Sequence, residues 1–214
     1  MEKYIRKKPQ NGSITKAHLK IPTLIGICGR SCSGKSVATK ALETEFPDKI
    51  LQISTDRYFT KFDPKELDKK EGWETPSPIR WDRLIHSLKK LKNNESTRIP
   101  SKGWTEVFDK VVRPKPIIIV EGYLLFTNPE LVKLLDKRIF IDISDANILR
   151  RRMLRDKKLK GMQRIKGKDY IINKVIPISK QYEGMQKRAA DIIIDGNASK
   201  ETVLDEVKKY LKLY

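Results

Sequence analysis

From Thr23 to Asp195 the chain alternates short, β-branched apolar runs with longer segments of helical period, and few folds accommodate that alternation. The strand-like runs are Thr23–Cys28, Lys49–Ser54, Pro116–Glu121, Lys137–Ile143 and Asp191–Asp195. Each is apolar nearly throughout and ends in polar residues or glycine, as expected of parallel strands buried on both faces. Helices are expected over Gly34–Phe46, Arg80–Leu91, Pro129–Leu135, Asp145–Leu159, Lys168–Ala190 and Ser199–Leu211. The pattern predicts an α/β domain, a five-stranded parallel sheet with helices on both faces, spanning residues 21–214. Arg98 to Arg113 breaks the alternation around Gly103 and reads as an inserted hairpin, while residues 1–20 read as a flexible basic arm. Apolar runs such as Ile117 to Val120 are far too short to cross a bilayer. The two cysteines, Cys28 and Cys32, offer no disulfide framework, which fits a reducing, cytoplasmic setting.

The stretch Gly29-Arg30-Ser31-Cys32-Ser33-Gly34-Lys35-Ser36 fits G-x-x-x-x-G-K-[ST] between the first strand and the first helix, with Val37 in that helix's opening turn. Glycines there let backbone N–H groups converge on phosphate oxygens, and the helix N-terminus adds its positive dipole end. Lys35 is suited to neutralise the β- and γ-phosphates of ATP and the Ser36 hydroxyl to ligate Mg²⁺. The architecture is therefore expected to be the P-loop NTPase fold.

Two acids at neighbouring strand ends suggest the reaction. Asp56, just past the second strand, is placed to accept a proton from an attacking alcohol and to approach Mg²⁺. Glu121 ends a wholly apolar strand, where a carboxylate is costly unless a cation or donor meets it, so it reads as part of the metal site.

The loop, the segment Ser54, Asp56, Tyr58, Phe59, the strand end Val120-Glu121-Gly122 and the run Arg150-Arg151-Arg152-Met153-Leu154-Arg155-Asp156 resemble, in order and spacing, the uridine kinase/phosphoribulokinase family. The resemblance covers Thr23 to about Asn197. It implies a small-molecule kinase using ATP and Mg²⁺, with Asp56 as base and Ser36, Asp56 and Glu121 around the metal. Trp73 and Glu74 stand where the nucleoside kinases carry the Phe and Asp that receive the ribose, which adds Tyr58, Trp73, Glu74 and Trp104 to the expected acceptor site. Where uridine kinases have a Tyr-Asp-Phe run in their hairpin, this chain has Ser101-Lys102-Gly103-Trp104. The basic run corresponds to a lid over about 155–168, in which Arg151 is expected near the nucleotide and Arg152 and Arg155 are expected to clamp the transferred phosphoryl group.

Uridine or cytidine is thus the expected acceptor and nicotinamide riboside the alternative, the latter because Glu121-Gly122-Tyr123-Leu124-Leu125-Phe126 resembles the riboside kinases. A net charge of +19, from 46 basic and 27 acidic residues, keeps a third reading open, a nucleic-acid-associated ATPase. A homo-oligomer is compatible with the sequence; a membrane partner is not expected.

Overall fold

A computed structural model describes residues 20–60, 74–101, 107–157 and 167–214. Its strands are β1 (Thr23–Cys28), β2 (Ile50–Ser54), β3 (Thr97–Ile99), β4 (Lys110–Val112), β5 (Ile117–Gly122), β6 (Lys137–Asp142) and β7 (Ile192–Asp195). β1, β2, β5, β6 and β7 form a five-stranded sheet in the order β2-β5-β1-β6-β7, parallel throughout, and β3 pairs antiparallel with β4 in a separate ribbon. The described helices are α1 (Lys35–Glu45), α2 (Trp81–Lys92), α3 (Pro129–Leu134), α4 (Asp145–Asp156), α5 (Gly167–Tyr170), α6 (Ile176–Ala189) and α7 (Lys200–Leu211).

Strand alternation divides the core. Leu24 and Cys28 of β1 face one cluster with Leu84 and Leu88 of α2 and Leu131 of α3, whereas Ile25 and Ile27 face another with Ala38 and Leu42 of α1 and Val203 and Val207 of α7. Both faces are covered, which is why the strands read as continuous apolar runs rather than alternating ones.

Local chemistry fixes the helix ends. Ser144 and Ser199 cap α4 and α7 by accepting from the N–H groups of Asn147 and Thr202, and Asn128 caps α3 ahead of Pro129. At the C-terminus of α2, Asn94 adopts the left-handed region at φ 61°. Glu95 and Asn94 then donate back to the carbonyls of Lys90 and Leu91.

The expected single helix over Lys168–Ala190 is corrected. α5 gives way to a π-helical segment, Ile171–Val175, before α6 begins. Pro177 at the start of α6 has no N–H to donate and crowds the preceding turn, and a wider turn relieves both problems. The arm falls outside the described residues except for Lys20, as does the middle of the lid, while the expected hairpin is represented by β3 and β4.

Candidate active site

In-register parallel pairing assembles the site. Ser54 lies opposite Glu121, and Glu121 and Gly122 lie opposite Ile27 and Cys28, so the C-terminal ends of β2, β5 and β1 are neighbours. The loop after β1, the turn after β2 and the end of β5 therefore open on one crevice, the usual ligand position in such sheets.

Gly29 has φ 155°, and a Cβ there would sit 2.4 Å from the carbonyl oxygen of Ile141. Gly34, at φ 106°, precedes α1 with open space where a Cβ would stand. Among the described residues no side chain caps α1, and no acid occupies its first turn, so its N–H groups remain suited to an anion. The Ser33 hydroxyl is buried without a hydrogen-bond partner among the described residues. Lys35 is buried and curls over the loop, its Nζ donating to the carbonyl of Arg30 at 3.1 Å. These features fit a polyphosphate.

Ser36 donates from Oγ to Oε2 of Glu121 at 3.1 Å. Burial pushes the Glu121 carboxyl above the usual range, opposed first by the charge of Lys35 and then by a hydrogen bond from Ser54, while Asp56 adds to the rise. Asp56 sits in a short 3₁₀ turn, Thr55–Tyr58, whose first N–H groups are capped by Ser54. Its carboxyl is reached by solvent yet ringed by protein; that desolvation lifts it above the ordinary value, opposed by Lys35 and Arg155. A hydroxyl and two carboxylates facing a phosphate loop are a reasonable donor set for Mg²⁺, which keeps several waters and phosphate oxygens in its shell.

A buried guanidinium, that of Arg152, joins several parts of the crevice. Its Nη1 donates to Oε1 of Glu74 at 2.9 Å and approaches Oγ of Ser31 in the phosphate loop at 3.4 Å, and Asp156 lies one helical turn on. Arg152 and Glu74 are both buried. Arg155 is half exposed and donates to Asp156. The other expected arginines take different tasks. Arg151 donates to the carbonyls of Cys32 and Gly196, at 3.2 and 2.8 Å, and braces the phosphate loop against the segment after β7. Arg30 turns away from the loop to Asp145, Glu183 and the carbonyl of Ile143.

Two expectations meet their limits. Tyr58 is fully buried, packed edge-on against Phe108, with its hydroxyl pushed up to about 12 by burial. It lies within the core behind the turn that carries Asp56. Trp73 and Trp104 lie outside the described residues.

One residue of the site was not singled out from sequence. Tyr123 stacks on Phe59 at 6.4 Å, and its buried hydroxyl lacks a hydrogen-bond partner among the described residues. Burial raises it well above its usual range, and Glu74 and Asp56 raise it further. Gln186 of α6 holds its carbonyl, donating from Nε2 at 3.3 Å. The sequence signal was its position two residues after Glu121, at a strand end that faces the crevice.

The sheet order, the loop and the acids at the adjoining strand ends define a P-loop kinase fold. The chain belongs to the Phosphoribulokinase / Uridine kinase family, whose model matches residues 24–203. It is 30% identical over 199 residues to a uridine kinase of Chlamydia pneumoniae, covering 88% of each chain. It is 34% identical over 194 residues to a uridine kinase of Bacillus cereus strain B4264, covering 86% of this chain and 90% of the relative. Among solved structures, phosphoribulokinase from Rhodobacter spheroides superposes with a TM-score of 0.58 at 16% identity, covering 84% of this chain and 74% of that one. Shikimate kinase from Acinetobacter baumannii gives 0.53 at 15% identity, covering 91% and 93%. The structural likenesses speak to the fold alone. Among the described residues no helix is long and apolar enough to cross a membrane.

Proposed function

We propose that this kinase transfers the γ-phosphoryl group of ATP to the primary hydroxyl of a nucleoside, with uridine or cytidine as acceptor. The supporting observation is that one side chain, Arg152, contacts both the phosphate loop at Ser31 and the acceptor-side carboxylate Glu74. Donor and acceptor halves of the site therefore meet at a single buried guanidinium. The relatives cited above carry the name uridine kinase, which favours this acceptor over nicotinamide riboside.

In this reading the loop from Gly29 to Ser36, with Val37 opening α1, receives the phosphates and Lys35 swings from the Arg30 carbonyl to the β- and γ-oxygens. Ser36, Asp56 and Glu121 would hold Mg²⁺, which when bound neutralises charge developing between the phosphates. Glu74 accepts hydrogen bonds from vicinal ribose hydroxyls, fixing the sugar so that its primary hydroxyl points at Asp56. Asp56 takes the hydroxyl proton as the oxygen attacks phosphorus, and its raised pKa strengthens it as a base once ionised. Arg152 and Arg155 offset the charge spread over the transferring group, and Arg151 braces the loop. Trp73 and Trp104 serve as aromatic walls for the nucleoside.

The test is an ADP-release assay across nucleosides, nicotinamide riboside, pantothenate and ribulose 5-phosphate. Uridine and cytidine should support turnover well above the acceptor-free rate. Turnover confined to any other compound would overturn the assignment.

A further inference from the structure

The crevice at the strand ends does not account for a second concavity, of about 470 Å³, between α2 and the β3–β4 ribbon. Arg83, His86, Ser87 and Lys90 line it from α2, spaced three, four and seven residues along one helical face, and Arg98 and Phe108 line it from the ribbon. Among the described residues its lining contains no carboxylate. Neither Lys90 nor Arg98 has an ion-pair partner among the described residues, and Arg83 has only an exposed contact with Asp82 at 3.7 Å. Like charges gathered around a concave surface repel one another in water, and an anion relieves that cost.

The guanidinium groups of Arg80 and Arg83 lie 5.3 and 6.0 Å from the centroid of Phe108. The C-terminal end of α2 is closed by return hydrogen bonds, from Asn94 to the carbonyl of Leu91 and from Glu95 to the carbonyl of Lys90. The volume falls in the range of small-molecule sites, about 300–1,000 Å³. It suits one small polyanion better than a polymer, which would need a longer track of cations.

The cavity also touches the catalytic machinery. Phe108 packs against Tyr58 with ring centroids 6.2 Å apart, and Tyr58 shares the 3₁₀ turn with Asp56. From the same turn Arg57 donates to the carbonyls of Pro100 and Ser101, at the end of β3's strand of the ribbon. An anion drawing Arg98 and Lys90 together would bear on both elements that set the position of Asp56.

We propose that this cavity is an effector site for a small molecule bearing at least two clustered negative charges, such as a di- or triphosphate group, separate from the nucleotide loop. The probe is inorganic triphosphate, titrated by calorimetry and by amide chemical shifts into the full-length protein whose loop is saturated with a non-hydrolysable ATP analogue and Mg²⁺. Saturable binding that weakens with salt, with shifts at Lys90, Arg98 and Phe108, is expected. The double variant K90Q/R98Q should weaken it at least tenfold while leaving kinase turnover without triphosphate unchanged. Absence of saturable binding, unchanged affinity in the double variant, or binding of a single-stranded RNA but not of triphosphate would overturn the proposal.

Discussion

Oε1 of Glu74 and Nη1 of Arg152 lie 2.9 Å apart with both side chains at least nine-tenths buried, and they join residues 78 apart in sequence. The pair joins Glu74 to α4 beside the phosphate loop. Breaking a buried pair from one end leaves a desolvated charge, so Glu74→Ala should cost about 3 kcal/mol of stability. Glu74→Gln keeps an acceptor atom and should unfold much closer to wild type, yet raise the KM for the acceptor with that for ATP unchanged. Chemical denaturation beside initial-rate kinetics separates the two effects.

Glu121 exchanges stability for its place beside Ser36. Its carboxyl holds a proton to higher pH when folded than when unfolded, because burial raises it. The folded state is therefore penalised as pH rises from the ordinary carboxylate value, about 4, through the raised one, and the penalty is complete above that. Glu121→Gln should raise the Tm at neutral pH, and the gain should shrink as pH falls towards the ordinary value. The same variant should lose roughly 10–100-fold in kcat. Melting curves across pH test the sign.

Gly122 is required by its neighbour. A Cβ there would stand 2.3 Å from Oγ1 and 2.7 Å from Cγ2 of Thr55, the residue before Asp56. Gly122→Ala should cost about 1–3 kcal/mol and displace the turn, lowering kcat. Adding Thr55→Ala removes both clashing atoms and should restore most of the stability and turnover.

Arg151 holds the phosphate loop by its backbone. Its guanidinium bridges the carbonyls of Cys32 and Gly196. Arg151→Met should raise the KM for ATP roughly tenfold, about 1.4 kcal/mol, and leave the acceptor KM within twofold. An equal rise in both constants would contradict a bracing role.

The strands of the main sheet were legible because double burial writes itself as apolar, β-branched runs; β1 was read to its observed ends, Thr23–Cys28. The phosphate loop was legible as a motif, and Glu121 as a charge at an apolar strand end. What sequence did not carry was direction. Arg30 and Arg151 lie in the expected segments, but a residue's place in a motif does not say whether its side chain meets ligand or backbone carbonyls. Tyr58 read as a polar site residue two positions after Asp56, and the 3₁₀ turn directs it into the core. The Glu74–Arg152 pair is a product of tertiary packing, with no local pattern to announce it. The break before α6 had a visible cause in Pro177, but helical period outweighed it.

The role of Asp56 as base is tested by single-turnover phosphoryl transfer to uridine in wild type and Asp56→Asn, with ATP affinity measured alongside. A base at Asp56 predicts a fall in rate of about 10²–10⁴-fold with ATP affinity within twofold. The wild-type rate should fall as pH drops through a value above the ordinary carboxylate range, where Asp56 becomes protonated, and the variant should lack that limb. Wild-type turnover in Asp56→Asn, or an unchanged acid limb, would contradict it.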